Sequence, residues 1–226
     1  MSPLNKKLAS IDGRLAAYAT LAGAALAAPA IPSANAAIIY SGVVNINIPS
    51  TTAGVYLNLS SGVFAGTPGG APGWDLNAWG GTSFNVWANN SAEASNGVIG
   101  NFTGGSSATL VDNVPFLTPV DGTWTYVRSN GIETTGLTAF TTSSSNNLVG
   151  IRFLNNTTNT LNFGWIRFSL SATSGAQPRA VVEYAYDDSG AAILAGQVPE
   201  PSTFALLGVM AAGALGVRQW RKRKSA

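Results

Sequence analysis

Residues 148–170, LVGIRFLNNTTNTLNFGWIRFSL, determine the fold class of this chain. Val149, Ile151 and Phe153 alternate with other residues and so share one face of an extended strand. Residues 160–170 form a second apolar run, whose apolar face changes near Trp165. A β-bulge or a strand buried on both faces explains such a change. The polar string NNTTN at 155–159 is typical of a hairpin loop, so the stretch predicts two antiparallel strands.

Strand patterns continue on both sides of this hairpin. Residues 180–187, AVVEYAYD, alternate as a third strand, and the three strands predict an antiparallel meander. Shorter strands separated by turn residues are predicted upstream, at 38–48, 54–59, 84–88, 98–102 and 123–127. Many short strands of this kind are typical of a sandwich or jelly roll. We predict an all-β protein with a single antiparallel β-sandwich or jelly-roll-like domain over residues 37–195, flanked by an N-terminal signal-peptide helix and a C-terminal transmembrane helix.

The charges are divided unevenly between the ends of the chain and its body. The whole chain has a net charge of +2, but residues 37–199 contain four arginines, no lysine and eight acids, a net charge of −4. A sparsely charged, acidic body argues against nucleic-acid binding. The chain has no His and no Cys, which excludes disulfides, Ser-His-Asp triads and His or thiolate metal sites. We therefore expect no cofactor.

The first 36 residues have the three parts of a secretory signal peptide. Lys6 and Lys7 give a positive start, residues 15–28 are uncharged and apolar, and Ala34 and Ala36 match the small-x-small cleavage pattern. The alternative is an ordinary amphipathic helix, which the prolines just before the cleavage pattern disfavour. The sequence predicts a signal peptide over residues 1–36, cleaved after Ala36, and hence export.

A second targeting pattern occupies residues 196–226. The string VPEPST at 198–203 precedes an uncharged run, which a cluster of Arg and Lys follows. The 17 uncharged residues between Glu200 and Arg218 would extend about 25 Å as a helix, the short limit for crossing a bilayer. We predict a transmembrane helix over residues 202–217 and a cytoplasmic basic tail over 218–226. The alternative is a buried core helix with a basic tail.

These parts together resemble the PEP-CTERM sorting signal of Gram-negative bacteria. The resemblance implies that the chain is a substrate of exosortase, a membrane enzyme similar to cysteine transpeptidases, which would recognise Pro199, Glu200 and Pro201. It also implies an inner-membrane-anchored precursor, loss of the helix on processing, and association with an exopolysaccharide or biofilm matrix. Strings of the body such as GVYLNLSSG at 54–62 resemble a β-rich ectodomain of no assigned activity found upstream of such signals.

The segment GWDLNAWG at residues 73–80 is the main candidate binding site in the body. Trp74 and Trp79 are suited to stacking on sugar rings, and Asp75 and Asn77 to hydrogen bonds with sugar hydroxyls. The alternative is that the two tryptophans lie in the core and that the Asp and Asn stabilise turns. Both interpretations are compatible with the sequence.

Two aspartates are candidate metal ligands, and three further tryptophans are candidate core residues. Asp187 and Asp188 are weak candidates for calcium ligands, with a distant Asp121, but they lack the spacing of an EF-hand loop and a plain turn explains them as well. Three tryptophans occur in strand-like runs, and we expect them in the core: Trp87, Trp124 and Trp165.

The sequence predicts an exported, non-catalytic protein of the cell surface or extracellular matrix. One alternative is a carbohydrate-binding module that uses Trp74 and Trp79. A second alternative is a glycosidase that uses two of the eight carboxylates of the body. The expected partners are an exosortase-type enzyme, the inner membrane through the C-terminal helix, and exopolysaccharide.

Overall fold

The computed structural model describes residues 37–89, 95–102, 109–135 and 138–199. These residues belong to one compact unit, Ala36–Ala226, and the other unit, Met1–Asn35, lies outside the described residues. A short 3-10 helix covers Pro68–Gly70. The strands, numbered in chain order, are β1 Ile38–Tyr40, β2 Ile46–Asn47, β3 Val55–Leu57, β4 Phe64–Ala65, β5 Leu76–Trp79, β6 Asn85–Ala88, β7 Gly97–Phe102, β8 Thr109–Val111, β9 Pro119–Val120, β10 Tyr126–Val127, β11 Ser129–Gly131, β12 Ser144–Asn155, β13 Thr160–Leu170, β14 Ala180–Asp187 and β15 Ile193–Leu194.

The larger sheet is built on the predicted meander. Its eight strands follow the order β1-β14-β13-β12-β7-β10, with β2 also paired to β14 and β8 to β7. The hairpin of β12 and β13 is antiparallel, with Asn155 opposite Thr160 at its end. The Asn155 side chain accepts the Thr157 N–H at 2.9 Å and Asn159 has φ 56°, so both asparagines help close the loop because Asn tolerates this left-handed conformation. The meander prediction is confirmed.

A second sheet packs against one face of the first. Its five strands follow the order β11-β6-β5-β3-β4, and the strand pairs are antiparallel. Alternation along β3, β5 and β6 sends one set of side chains inward, where they meet the inner face of the larger sheet. Leu57, Leu76 and Val86 from this sheet share one core with Ile151 and Ile166 from the other. The predicted all-β, antiparallel fold class is confirmed.

The opposite face of the larger sheet is also covered. Trp165 is fully buried there, in a second cluster with Val120 from β9 and Ile193 from β15. These two short strands pair with each other and form a small third sheet. The middle of β13 is therefore buried on both faces, which explains the change of apolar face near Trp165. The register shift in its pairing with β14 falls later, between Arg167 and Phe168.

Two tryptophans that we expected in the core do not lie there. Trp124 is 38% exposed, and Trp87 is half-buried on the outer face of the five-stranded sheet. Trp87 belongs to β6, which has one covered face, so alternation carries its ring outward. Trp124 lies in a bend between β9 and β10, where its indole donates to the Pro119 carbonyl at 2.7 Å. Of the three tryptophans expected in the core, Trp165 is the one that lies there.

A buried arginine joins the two large sheets. Arg179 is 0% exposed and directly precedes β14. Its side chain donates hydrogen bonds to backbone carbonyls of three separate segments: Ile48 and Pro49, Gly80 and Ser83, and Ser174. Burial lowers the pKa of the guanidinium, and the ring of Phe84 lies 5.8 Å from its central carbon. The cation is satisfied by carbonyl dipoles rather than by a carboxylate.

Candidate functional site

The loop that carries Trp74 is fixed on the outer face of the five-stranded sheet. The Asn58 side chain donates to the carbonyls of Pro72 and Gly73 at 2.8 and 3.0 Å. The Asn89 side chain donates to the Trp74 carbonyl at 2.9 Å. These amides hold three consecutive backbone carbonyls of a segment outside regular structure, so the position of Trp74 is determined by the sheet beneath it.

Trp74 lies between two other aromatic rings. Its ring centroid is 5.0 Å from that of Tyr56 and 6.2 Å from that of Trp87, both in edge-to-face contacts. Tyr56 and Trp87 flank Asn77 in the strand register, which places all three side chains on one face of the sheet. The Arg128 guanidinium lies 5.7 Å from the Trp87 ring. We call Tyr56, Trp74, Trp87 and Arg128 the aromatic surface.

Asp75 and Asn77 lie under this surface rather than on it. Both are 2% exposed. Asn77 donates to the carbonyls of Ala53 and Val55 at 2.9 and 3.1 Å, and Asp75 accepts the Leu59 N–H at 2.8 Å. These hydrogen bonds connect β5 to the chain around β3. A ligand bound to this face would therefore contact the aromatic rings, and not Asp75 or Asn77.

Trp79 shares the outer face because it alternates in phase with Asn77 along β5. It is half-buried. The indole nitrogens of Trp79 and Trp87 are buried and have no hydrogen-bond partner within the described part of the chain. A buried donor without a partner costs free energy, so two such donors on one face are notable. The predicted pair Trp74 and Trp79 thus lies on the same sheet face, with both rings partly accessible.

Three residues of the aromatic surface were not predicted as site residues from the sequence: Tyr56, Trp87 and Arg128. For the two rings a signal was present: Val55 and Leu57 flank Tyr56, as Val86 and Ala88 flank Trp87. Because successive side chains of a strand point to opposite faces, apolar neighbours on the core face place each aromatic ring on the outer face. For Arg128 we find no comparable signal.

The two calcium candidates hold a turn and the start of the domain. Asp187 Oδ1 accepts the backbone and hydroxyl groups of Ser189 at 2.9 and 2.6 Å and the Ala191 N–H at 3.1 Å. Asp188 Oδ1 accepts the Ala37 N–H at 2.8 Å. Asp121 binds Thr123 in the same way, through its N–H and hydroxyl. In the described ranges no three Asp, Glu, His or Cys side chains are grouped as metal ligands.

A cavity of about 480 Å³ lies on the face of the larger sheet that is turned away from the five-stranded sheet. It is lined by residues 113–116 with Asn146, Leu148 and Arg167. Arg167 Nε is 2.6 Å from Glu183 Oε1, and its Nη1 donates to Asn146 Oδ1 at 3.0 Å. The Tyr40 hydroxyl also donates to Glu183, which raises the pKa of the tyrosine. Arg167 and Glu183 therefore each take part in two hydrogen bonds inside the fold.

The end of the domain is fixed up to Gln197. The Trp165 indole donates to the Gln197 carbonyl at 3.0 Å, and the Gln197 side chain accepts the Leu194 N–H at 3.1 Å. Pro199 is exposed and is the last described residue. Glu200 and Pro201, the helix at 202–217 and the tail at 218–226 lie outside the described residues, as do Ala34 and Ala36. Among the residues that are described, no helix is long and apolar enough to cross a membrane.

Comparison with known proteins bears on this C-terminal region. No curated protein and no solved structure matches the chain. Residues 197–224 match the family defined by the PEP-CTERM protein-sorting motif. The match begins at Gln197, the residue at which the fixed part of the domain ends. The chain therefore carries a PEP-CTERM sorting motif at residues 197–224, which indicates export and sorting by an exosortase-type enzyme.

Proposed function

We propose that this chain is a non-catalytic protein of the cell surface or extracellular matrix of a Gram-negative bacterium. It is held at the inner membrane as a precursor by the helix at 202–217, and it is processed near Pro199, Glu200 and Pro201. The observation that carries the proposal is the sorting motif at residues 197–224, directly after a domain without His, Cys or Lys. Association with exopolysaccharide is part of the proposal.

The carboxylates of the domain support a non-catalytic role. Seven of the eight acids of the body are described, and each accepts at least one hydrogen bond inside the fold. The pKa values of Asp112 and Glu133 shift in opposite directions, because burial raises the pKa of the first and hydrogen bonds from Thr135 lower the pKa of the second. Both are buried, and neither lines a described cavity. A glycosidase needs its two carboxyls at the substrate.

Mass spectrometry of the exported protein tests sorting and processing together. We expect a chain that starts at Ala37 and has lost the residues after the Pro199–Pro201 region. The variant Glu200→Ala serves as the comparison, and we expect it to keep its C-terminal residues and remain in the membrane fraction. A wild-type protein that still starts at Met1 and ends at Ala226 would falsify the proposal.

Carbohydrate binding is the second candidate function, and the aromatic surface supports it together with Trp79, which lies on the same sheet face. Partly accessible rings on one sheet face can stack on the C–H face of a pyranose. The test is retention on isolated exopolysaccharide of the variant with Trp74→Ala and Trp79→Ala, which we expect to lose retention. Trp124→Ala is the matched control, because Trp124 is 38% exposed and lies between β9 and β10, not on the five-stranded sheet. Equal retention of both variants, each shown to be folded by near-UV circular dichroism, would exclude this binding mode.

A further inference from the structure

A turn with two exposed apolar side chains lies beside the end of the domain. Residues Pro115–Thr118 form a β-turn, closed by a hydrogen bond of 3.1 Å from the Thr118 N–H to the Pro115 carbonyl. Its two central residues, Phe116 and Leu117, are 61% and 53% exposed. Turn tips normally carry Gly, Asn, Asp or Ser. An apolar pair in this position is therefore unusual.

The backbone of the turn is strained in order to present this pair. Leu117 has φ 63°, in the left-handed region, where Gly or Asn is accommodated with less steric conflict. Leu117 is also half exposed, so no core packing compensates the strain. Strain of this kind, observed without a packing reason, points to a function for the side chain.

The turn and the exit of the chain form one fixed unit. The Leu117 N–H donates to the Ala195 carbonyl at 2.9 Å, and the Ala195 N–H donates to the Thr118 carbonyl at 2.8 Å. Gly196 passes so close to Phe116 that a Cβ on it would lie 2.4 Å from a ring carbon. The Phe116 ring therefore rests on the residue that precedes the sorting motif.

The length of the following chain limits how far the membrane lies from this unit. Gln197 is fixed by the indole of Trp165 at 3.0 Å, and the predicted membrane span begins at residue 202. Five residues reach no more than about 18 Å when extended. In an anchored precursor the bilayer surface therefore lies within that distance of Gln197. Two more exposed apolar side chains belong to this end of the domain, Val198 at 41% and Trp124 at 38%.

We propose that Phe116 and Leu117 insert into the membrane interface in the anchored precursor and hold the start of the sorting motif at the bilayer surface. The proposal rests on the C-terminal anchor proposed above. The driving force is burial of apolar surface, since the body has a net charge of −4 and no lysine to attract anionic lipid. The anchor supplies the high effective concentration that such a small contact needs.

Site-directed spin labelling of the full-length precursor in protein-free phosphatidylcholine vesicles tests the contact. The chain has no cysteine, so Leu117→Cys and Phe64→Cys each give one labelling site. Phe64 is the matched control, because it is 53% exposed like Leu117 but lies on the edge strand β4. We expect the label at 117 to be several-fold less accessible to a water-soluble nickel relaxant, and more accessible to oxygen, than the label at 64.

The outcomes separate the contact from the anchor. If the precursor does not float with the vesicles, the anchor and the contact are both wrong. If it floats and the labels at 117 and 64 are equally accessible to nickel, the contact alone is wrong. Protection that appears only when other membrane proteins are added also overturns it, in favour of a protein partner. In a precursor labelled at Phe116→Cys, we expect Leu117→Asn, which suits the left-handed turn, to restore nickel access.

Discussion

Replacement of Arg179 by lysine tests whether carbonyl groups alone stabilise the cation between the two sheets. Arg179 is 0% exposed, and its five hydrogen bonds reach three segments that are far apart in the chain. Lysine keeps the charge but has three donors, so at least two carbonyls lose their partner. At about 1.5–3 kcal/mol for each hydrogen bond to a charged group, we expect a loss of about 3–6 kcal/mol.

Urea unfolding of the processed protein, followed by tryptophan fluorescence, measures this loss. With a slope of about 2 kcal/mol per molar urea, the midpoint of Arg179→Lys should fall by about 1.5–3 M. Arg152→Lys is the matched control. Arg152 donates to the Ser95 carbonyl at 2.7 Å and lies 4.5 Å from the Tyr126 ring, so we expect a loss of about 1 kcal/mol. If the two midpoints agree within about 0.5 M, the reasoning about the carbonyl groups is wrong.

Three further predictions concern single carboxylates. Burial raises the pKa of Asp112, so its ionised form destabilises the fold. Stability is therefore highest below the unfolded pKa and falls as pH rises through the folded one, and Asp112→Asn should raise the free energy of unfolding at pH 7. Hydrogen bonds from Thr135 lower the pKa of Glu133, so its ionised form stabilises the fold. Glu133→Gln should therefore lower the free energy of unfolding at pH 7, and the difference from wild type should vanish as pH falls through the folded pKa. Asp188 accepts the Ala37 N–H at 2.8 Å, so in a chain cleaved after Ala36 it pairs with the new α-ammonium group. Asp188→Asn should then lower the thermal midpoint, and N-terminal acetylation should remove most of that difference.

The hairpin could be predicted from the sequence because its information is local. Apolar alternation at residues 148–154 and 160–170 defines two strands, and the polar string between them defines the loop. Alternation does not say how many faces of a sheet are covered. Trp165 lies on a face covered by β9 and β15, whereas Trp87 lies on one that faces solvent. The same pattern therefore led to one confirmed and one wrong expectation.

The candidate site was predicted in part, for a related reason. The segment 73–80 was identified from its unusual composition, and the structure places Trp74 and Trp79 on one sheet face. Asp75 and Asn77 are buried because the carbonyls that Asn77 binds come from residues 53 and 55, which no local pattern connects to it. Arg179 was missed entirely, since backbone carbonyls leave no signature in a sequence.

The layers of the fold separate the two proposed contacts. The aromatic surface lies on the outer face of the five-stranded sheet, and the turn at Pro115–Thr118 belongs to the chain that covers the far face of the larger sheet. Packed sheets are about 10 Å apart, so two layers of packing keep the contacts about 20 Å apart. An anchored precursor that rests on Phe116 and Leu117 therefore turns Trp74 away from the bilayer. If both proposals hold, we expect Leu117→Asn to change lipid contact without changing polysaccharide retention, and Trp74→Ala to do the reverse.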